Sequence, residues 1–306
     1  MAKIKFLTDS AADIPQHYVD ELGIEVIHFP IALADREILD GVDYTQQEFY
    51  ALLDGVDKIP THAQITPFQF EEAFASAFEA GYDALIYTCI NFKGSATGGN
   101  ALQAKKTFFA DHPEAAGKFQ IEVLDSKNYT YSYGYAVVEA ARKARSGDMT
   151  CHEAVAMIED WLTHAKILFA PYDLKFARKS GRVSAAAAIM GTAMGIRPIM
   201  SFPNGDSKVL AKPRGDKNVV SGIVKMMTAE MEPGSPYLVI HAANSEHNAE
   251  ISKACQEAVG YAPAEEFLIG GVIAINAGTN LVGVVFRAKR SDSLNGEEVR
   301  HNGYSV

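Results

Sequence analysis

The hydrophobic positions in the first half of the chain alternate between short apolar runs and amphipathic stretches. Residues 4–8, 25–33, 83–89 and 119–125 have the length and composition of strands. Between them, apolar residues recur every three or four positions, which is the period of a helix with one buried face. Strands that alternate with helices predict a parallel sheet with crossover helices, and we assign it to an N-terminal α/β domain over residues 1–164.

Capping signals predict where several helices begin and end. Asp13, with a proline two residues later, is expected to cap a helix that stops at Gly23. Two pairs have the spacing of a capping box: Thr45 with Glu48, and Thr66 with Gln69. After the second pair, five apolar residues fall on one helical face and are predicted to be core: Phe70, Ala73, Phe74, Ala77 and Phe78.

From Lys166 onward the pattern changes, because predicted strands follow one another in pairs. Residues 197–202 and 207–212 flank a Pro-Asn-Gly-Asp turn, and Asn-Gly tolerates the positive φ that a tight β-hairpin needs. We therefore predict a C-terminal α/β domain over residues 165–290 with a mixed or antiparallel sheet and helices. A polar tail, expected to be loosely ordered, covers residues 291–306.

Length and composition agree with two ordinary folded domains. The chain has 306 residues, of which 48% are hydrophobic and 22% charged. Its 28 Lys and Arg against 38 Asp and Glu give a net charge of −10, which disfavours nucleic acid and anionic membrane surfaces as partners. Three widely spaced cysteines form neither a disulfide framework nor a CxxC pair, so a cytoplasmic location is expected. We expect no signal peptide and no membrane insertion.

Polar side chains cluster at three predicted strand ends and helix starts. Asp9 and Ser10 follow the first strand, where open α/β sheets bind ligands, although both residue types also satisfy backbone groups in turns. The 60–67 loop leads into a helix and could dock an anion there; alternatively it only caps the helix and His62 is solvated. The 91–99 loop fits neither the P-loop nor the GxGxxG spacing, which disfavours ATP and NAD.

Other motifs for metal binding and hydrolysis are missing from the sequence. The histidines lack HExxH spacing, and no serine lies in a GxSxG elbow, so neither a metal site nor a hydrolase nucleophile is predicted. Residues 185–195 are rich in Ala and Met. They predict either a buried helix or one wall of an apolar cavity lined by Met190 and Met194, because Met adapts to irregular volumes.

Seven short motifs follow one another along the chain: Thr8-Asp9-Ser10-Ala11-Ala12-Asp13-Ile14-Pro15, the 60–67 loop, Ser95-Ala96-Thr97, Asp125-Ser126, Gly181-Arg182-Val183-Ser184, Ile196-Arg197-Pro198-Ile199, and Gly270-Gly271 to Gly283. In this order they resemble the DegV family of bacterial fatty-acid-binding proteins over residues 3–289. The resemblance implies a two-domain α/β protein without catalytic activity or cofactor, which holds a long-chain fatty acid in a tunnel between the domains. It further implies that the bound acid is presented to a fatty acid kinase.

The resemblance also implies a set of ligand-binding residues: Thr61, His62, Ala63, Asn91, Phe92, Ser95, Thr97 and Asn276. Three positions depart from the family pattern, since Ala63 replaces Ser, Asn91-Phe92 replaces Ser-Ser, and Asn276 replaces His. These departures indicate a changed head-group environment, and so a different ligand or the loss of the phosphorylation step.

Two basic residues, Arg182 and Arg214, are candidates for docking the kinase, or else are solvated or packed on an aromatic ring. Two alternative functions stay open. One is a hydrolase or transferase that acts on an anionic metabolite with Asp9, Ser10 and His62, although the sequence offers it no recognisable nucleophile, base and cofactor set. The other is a regulatory or interaction module. An apolar tunnel would favour lipid binding, and a short polar cleft would favour catalysis.

Overall fold

The structure is a computed structural model that describes residues 2–56, 58–147, 149–181, 183–184, 195–243 and 245–289. Within these ranges the chain forms a parallel sheet, a mixed sheet and a small antiparallel sheet, together with helices, which confirms the predicted α/β class. The predictions for Arg182, Met190, Met194 and the 291–306 tail lie outside the described residues.

The strands and helices are numbered here in chain order. The strands are β1 Ile4–Asp9, β2 Glu25–Ile27, β3 Pro30–Ala32, β4 Glu37–Leu39, β5 Thr61–His62, β6 Ala84–Cys89, β7 Gln120–Asp125, β8 Ala165–Pro171, β9 Ile199–Ser201, β10 Lys208–Ala211, β11 Tyr237–His241, β12 Glu265–Leu268 and β13 Leu281–Arg287. The helices are α1 Gln16–Leu22, α2 Gln46–Gly55, α3 Pro67–Glu79, α4 Thr97–Asp111, α5 Tyr131–Ser146, α6 Cys151–His164, α7 Lys175–Ser180, α8 Val219–Glu230, α9 Asn248–Val259 and α10 Gly271–Ala277.

The parallel sheet has the strand order β2-β1-β6-β7, and all three of these pairings are parallel. Every residue of β6 is buried, as expected for a strand whose two faces are both covered. The carboxyl ends of β1 and β6 therefore lie side by side, and the loops that follow them share one edge of the sheet.

The mixed sheet has the strand order β10-β9-β8-β13-β11-β12. Strands β11 and β12 pair in parallel, and the other neighbouring strands pair antiparallel. The predicted hairpin is confirmed between β9 and β10, where Asn204 and Gly205 have φ values of 52° and 83°. Both residues supply the positive φ that the tight turn requires.

Two local predictions are wrong. Residues 25–33 do not form one strand, because β2 pairs in the parallel sheet and β3 pairs with β4 and β5 in the small antiparallel sheet. Between them, the Phe29 amide donates to the Ser10 hydroxyl, so the chain leaves the first sheet before it reaches Pro30. Asp13 does not cap α1 either, since its carboxylate accepts a hydrogen bond from the Thr130 hydroxyl at 2.5 Å.

The other capping predictions are confirmed. Thr45 and Thr66 accept from the backbone of the third helical residue and complete capping boxes at α2 and α3. Helix α1 ends at Gly23, whose φ is 66°. The predicted stripe on α3 is core, with four side chains buried and Phe78 packed beside them.

The hydrophobic core is shared between the two large sheets. A single cluster of buried side chains joins residues of the parallel sheet, such as Leu7 and Leu85, to residues of the mixed sheet, such as Ile240 and Val285. A second cluster covers the opposite face of the mixed sheet, where α8 and α9 contribute Ile223 and Cys255. The mixed sheet is thus buried on both faces, and one of its faces looks toward the edge of the parallel sheet.

Candidate functional site

An apolar cavity lies between the carboxyl edge of the parallel sheet, the inner face of the mixed sheet and α10. The space measures about 700 Å³, part of which is open to solvent. Its lining consists of Phe29, His62, Ile90, Gly94, Ser95, Tyr129, Thr130, Ile167, Phe169, Val183, Phe202, Ile240, Ile269, Val272, Ile273, Asn276, Ala277 and Leu281. None of these is Asp, Glu, Lys or Arg, so among the described residues the cavity wall offers an apolar surface with a few neutral polar groups.

His62 and Asn276 form a polar pair in the wall of the cavity. The Asn276 Nδ2 atom lies 3.0 Å from His62 Nε2 and also donates to the Val272 carbonyl at 2.6 Å. Because the carbonyl requires the amide nitrogen on that side, His62 Nε2 accepts the other hydrogen bond. The Asn276 amide thus holds the His62 ring by its Nε2 atom.

Ser95 supplies a hydroxyl to the same cavity. Its Oγ lies 2.9 Å from Thr97 Oγ1, and its backbone amide donates to the Asn91 carbonyl in the turn after β6. The Thr97 hydroxyl in turn accepts from the amide of Ile65, in the loop that follows His62. These bonds hold the loops after β5 and β6 together and so fix Ser95 relative to His62.

The structure brings three of the eight predicted ligand-binding residues to the cavity: His62, Ser95 and Asn276. The other five lie outside its lining. Thr61 and Ala63 are exposed on the small sheet and its following loop, and Thr97 is buried as a support for the Ile65 amide. Asn91 is fully buried between two loops, and the ring of Phe92 lies against Gly98 in α4.

Several cavity residues were not found by sequence reasoning. Helix α10 contributes Val272, Ile273 and Ala277, but the Gly270-Gly271 pair at its start resembles a turn and the helix has only seven residues. A signal was present in the apolar run that follows the two glycines. By contrast, Phe29, Tyr129 and other aromatic residues come to the cavity from separate loops and strands, which no local pattern indicates.

Asp9 and Ser10 belong to a different place in the molecule. They line a polar cleft together with Asp13, Asp40 and neighbouring residues of β12, whereas His62 lines the apolar cavity. The Ser10 hydroxyl donates to Asp40 at 2.7 Å and accepts from the backbone of Phe29, whose ring then faces His62. The structure therefore does not bring together the three residues of the hydrolase or transferase hypothesis in one cavity.

Asp9 is a fully buried carboxylate in a network of hydroxyl groups. It accepts from Tyr133 at 2.6 Å, from Tyr87 at 2.9 Å and from the Ile90 amide at 3.0 Å. Burial nevertheless raises the pKa of Asp9 to about 6, because the three donors only partly compensate the loss of water. Burial also raises the pKa of Asp13 and that of Asp40.

The pKa of Asp9 predicts that the protein becomes more stable as the pH falls from 7 to 5. The folded pKa of about 6 lies above the ordinary value of 3.8, so the folded state binds more protons in this range. This site should add about 1 kcal/mol to the unfolding free energy between pH 7 and pH 5. Asp9→Asn should remove that increment in urea unfolding, whereas Asp20→Asn, at an exposed position, should keep it. Equal pH dependence in all three proteins would contradict the assignment.

Metal-binding clusters and membrane-spanning helices are both missing from the described residues. No group of three or more His, Cys, Asp and Glu side chains there is placed to hold a metal ion. None of the helices in those ranges is both long enough and apolar enough to cross a membrane.

Arg214, one of the two predicted docking residues, is exposed. Its backbone forms a bridge with Ile196, close to the ion pair between Arg197 and Asp216.

Comparison with protein families and curated sequences gives a consistent result. The model of the DegV family, described as uncharacterised proteins, matches residues 3–289. A DegV domain-containing protein from Caldanaerobacter subterraneus subsp. tengcongensis is 30% identical over 94% of this chain and 100% of its own length. A second such protein, from Clostridium perfringens, is 28% identical over 80% of this chain and 85% of its own length.

Solved structures share the fold at low sequence identity. A fatty-acid-binding DegV family protein from Thermus thermophilus has a TM-score of 0.80 at 22% identity, with 94% of this chain and 100% of that chain covered. DegV from Bacillus subtilis, a fatty acid binding protein, has a TM-score of 0.80 at 21% identity and the same coverage. A stearic-acid-binding protein from Eubacterium ventriosum has a TM-score of 0.82 at 21% identity, with 94% and 98% covered.

Proposed function

This chain belongs to the DegV family, and from that premise we propose that it binds a long-chain fatty acid in the apolar cavity between its two large sheets. The observation that carries the proposal is the lining of this partly open cavity, which among the described residues contains no charged side chain and only a few polar groups. Solved structures of related fold are named as fatty-acid-binding proteins, which supports the same ligand class. On this proposal the protein has no catalytic activity of its own.

The apolar wall accounts for most of the expected affinity. Burial of about 15 methylene groups at about 0.8 kcal/mol each gives an upper limit of about 12 kcal/mol before the cost of ordering the chain. A hydrogen bond to a charged head group contributes only about 1.5 to 3 kcal/mol. Asn276 is the departure from the family pattern that lines the cavity, and it therefore changes selectivity for the head group more than it changes binding of the alkyl chain.

The head group is expected at the wall where Ser95, His62 and Asn276 meet the cavity. The Ser95 hydroxyl offers a hydrogen-bond donor, and Asn276 uses both of its amide hydrogens to hold the His62 ring and the Val272 carbonyl beside it. A carboxylate accepts hydrogen bonds only, so the Ser95 hydroxyl suits it. Of the remaining residues implied by the family resemblance, Thr97 bonds the Ile65 amide and Asn91 bonds the Gly205 carbonyl, so both support the loops near this set.

We further propose that the protein presents its ligand to a fatty acid kinase in the cytoplasm. Arg182 and Arg214 are the proposed docking residues, and the exposed position of Arg214 supports that role. The chain carries a net charge of −10, so a basic patch would be a local exception that selects an acidic partner. The free thiols suit a reducing compartment: Cys89, Cys151 and Cys255.

The proposal is tested by extracting the purified protein with organic solvent and identifying the lipid by mass spectrometry. We expect a long-chain fatty acid in the wild-type protein, and an extract without lipid would contradict the proposal. Ser95→Ala should weaken binding of the free acid by at least about tenfold and binding of its methyl ester much less. Ser221→Ala, at an exposed position on α8, serves as the control. An equal loss for acid and ester would exclude Ser95 from the head-group site.

The purified protein with its bound lipid also tests the proposed interaction with a fatty acid kinase. Arg214→Glu should leave the bound lipid unchanged and lower the rate at which a fatty acid kinase from the same organism phosphorylates it. An unchanged rate would remove Arg214 from the docking surface.

A further inference from the structure

One buried amide joins two aromatic residues that line the apolar cavity. Asn91 is fully buried, and its Nδ2 atom donates to Tyr129 Oη at 2.7 Å and to the Gly205 carbonyl at 2.8 Å. Its Oδ1 atom accepts from the Lys93 amide at 3.1 Å. Both amide hydrogens and the carbonyl oxygen are thus used within the protein. Asn91 therefore acts on the cavity through Tyr129 and the hairpin rather than by touching a ligand.

The hydrogen bond from Asn91 to the Gly205 carbonyl also fixes the position of the second aromatic residue, Phe202. The Gly205 amide donates to the Phe202 carbonyl in the turn between β9 and β10, so the turn and the Phe202 backbone form one unit. Gly205 approaches so closely that a Cβ at this position would lie 2.6 Å from Asn91 Oδ1. The amide and the turn are therefore in tight contact, and the position of Phe202 depends on Asn91.

Tyr129, Phe202 and Phe169 form an aromatic wall of the cavity. The ring centroids of Tyr129 and Phe202 are 4.5 Å apart, and those of Phe202 and Phe169 are 5.2 Å apart with nearly parallel rings. All three residues line the cavity. The Phe202 backbone is held by the Gly205 bond, and its ring is held by the Phe169 ring. Removal of the Tyr129 ring would therefore leave space that Phe202 does not move to fill.

We propose that Tyr129 sets the longest acyl chain that the cavity accepts and that Asn91 is the residue that positions it. The inference rests on the proposed function, because it assigns a specificity determinant to the same cavity. The Tyr129 ring packs on Phe202 in the aromatic wall and occupies volume that an alkyl chain would otherwise fill. Without the Asn91 bond, the ring loses a hydrogen bond at its hydroxyl end, and the limit on chain length becomes less sharp.

The experiment measures binding of straight-chain saturated fatty acids that differ in length by two carbons. Tyr129→Ala should prefer longer chains than the wild type, with about fourfold higher affinity for each methylene that the enlarged cavity accepts. Asn91→Ala should bind the same chain length best as the wild type does. Its affinity should fall less than that of the wild type when the acid is two carbons longer than this optimum. The readout is the ratio of affinities between chain lengths, which a general loss of stability does not change.

Matched variants separate this role from a structural one. Tyr135→Ala removes a ring that packs on Trp161 outside the cavity, and Asn248→Ala removes an amide that bonds the Ala242 carbonyl. Both should keep the wild-type chain-length profile. If Asn91→Ala does not fold, Tyr129→Phe breaks the same bond from the other side and should give the same relaxed selectivity.

The outcomes are distinct from those that test lipid binding itself. A wild-type protein that binds no fatty acid of any length contradicts the proposed function. A wild-type protein that binds them, with a Tyr129→Ala profile identical to its own, overturns the role of Tyr129. A shifted Tyr129→Ala profile with unchanged selectivity in Asn91→Ala or Tyr129→Phe overturns the positioning role of Asn91.

Discussion

Replacement of Ala277 by Phe is expected to weaken fatty-acid binding about a hundredfold while leaving the protein folded. Ala277 is the last residue of α10 and lines the apolar cavity one helical turn after Ile273. A benzyl group at this position enters space that is otherwise empty. If it displaces about four methylene groups at about 0.8 kcal/mol each, binding weakens by about 3 kcal/mol, which is more than about a hundredfold in Kd.

The measurement compares the lipid content of the purified variant and its titration with a fatty acid against the wild type. Ala262→Phe introduces the same side chain at an exposed position and should retain normal binding. Thermal unfolding of the lipid-free proteins shows whether Ala277→Phe is folded. Wild-type affinity in a folded Ala277→Phe protein would place the ligand outside the apolar cavity.

The second large effect is a loss of stability on replacing Gly134 by Ala. Gly134 lies in α5, and a Cβ there would be 2.4 Å from the backbone oxygen of Ala12, in the turn that follows β1. A backbone oxygen cannot rotate away as a flexible side chain can, so the helix must shift. Such overpacking costs about 1 to 3 kcal/mol or more. The same helix carries Tyr133, whose bond to the buried Asp9 would be disturbed by the shift.

Helix propensity acts in the opposite direction and provides the control. Ala is favoured over Gly inside a helix by about 1 kcal/mol, so the unfolding free energy of Gly134→Ala should still fall, by up to about 2 kcal/mol. Gly99 lies in α4, and a Cβ added there would meet no neighbouring side chain or loop within 4 Å. Gly99→Ala should therefore be neutral or stabilising in urea unfolding. Equal stability of the two variants would show that α5 tolerates the added methyl group.

Local sequence patterns predicted local structure well. The capping boxes at Thr45 and Thr66, the apolar stripe on α3 and the Asn-Gly hairpin are all confirmed. Each depends on residues within a few positions of one another, so the chain itself carries the full signal. The prediction for residues 25–33 was wrong because hydrogen bonds from distant residues decide which sheet each half joins.

The residues of the candidate site were likewise predicted only in part. Motif resemblance pointed to His62, Ser95 and Asn276, and these three residues line the cavity. It also pointed to Asn91, whose polar atoms are all occupied by Tyr129, Gly205 and Lys93. Polarity alone cannot separate a residue that faces a ligand from one that supports the wall, because the same amide serves either purpose.

The sequence by itself determined the α/β class, the change from parallel to antiparallel pairing, the starts of α2 and α3, and the family. These features follow from periodicity, turn chemistry and motif order, which are local properties of the chain. Only the tertiary structure decided that Asp9 and Ser10 lie away from His62, and that Tyr129, Phe202 and α10 enclose one cavity. The Asn91 bond to Gly205 spans 114 positions. Contacts of this range depend on how the sheets pack, and packing is a property of the whole fold rather than of any segment.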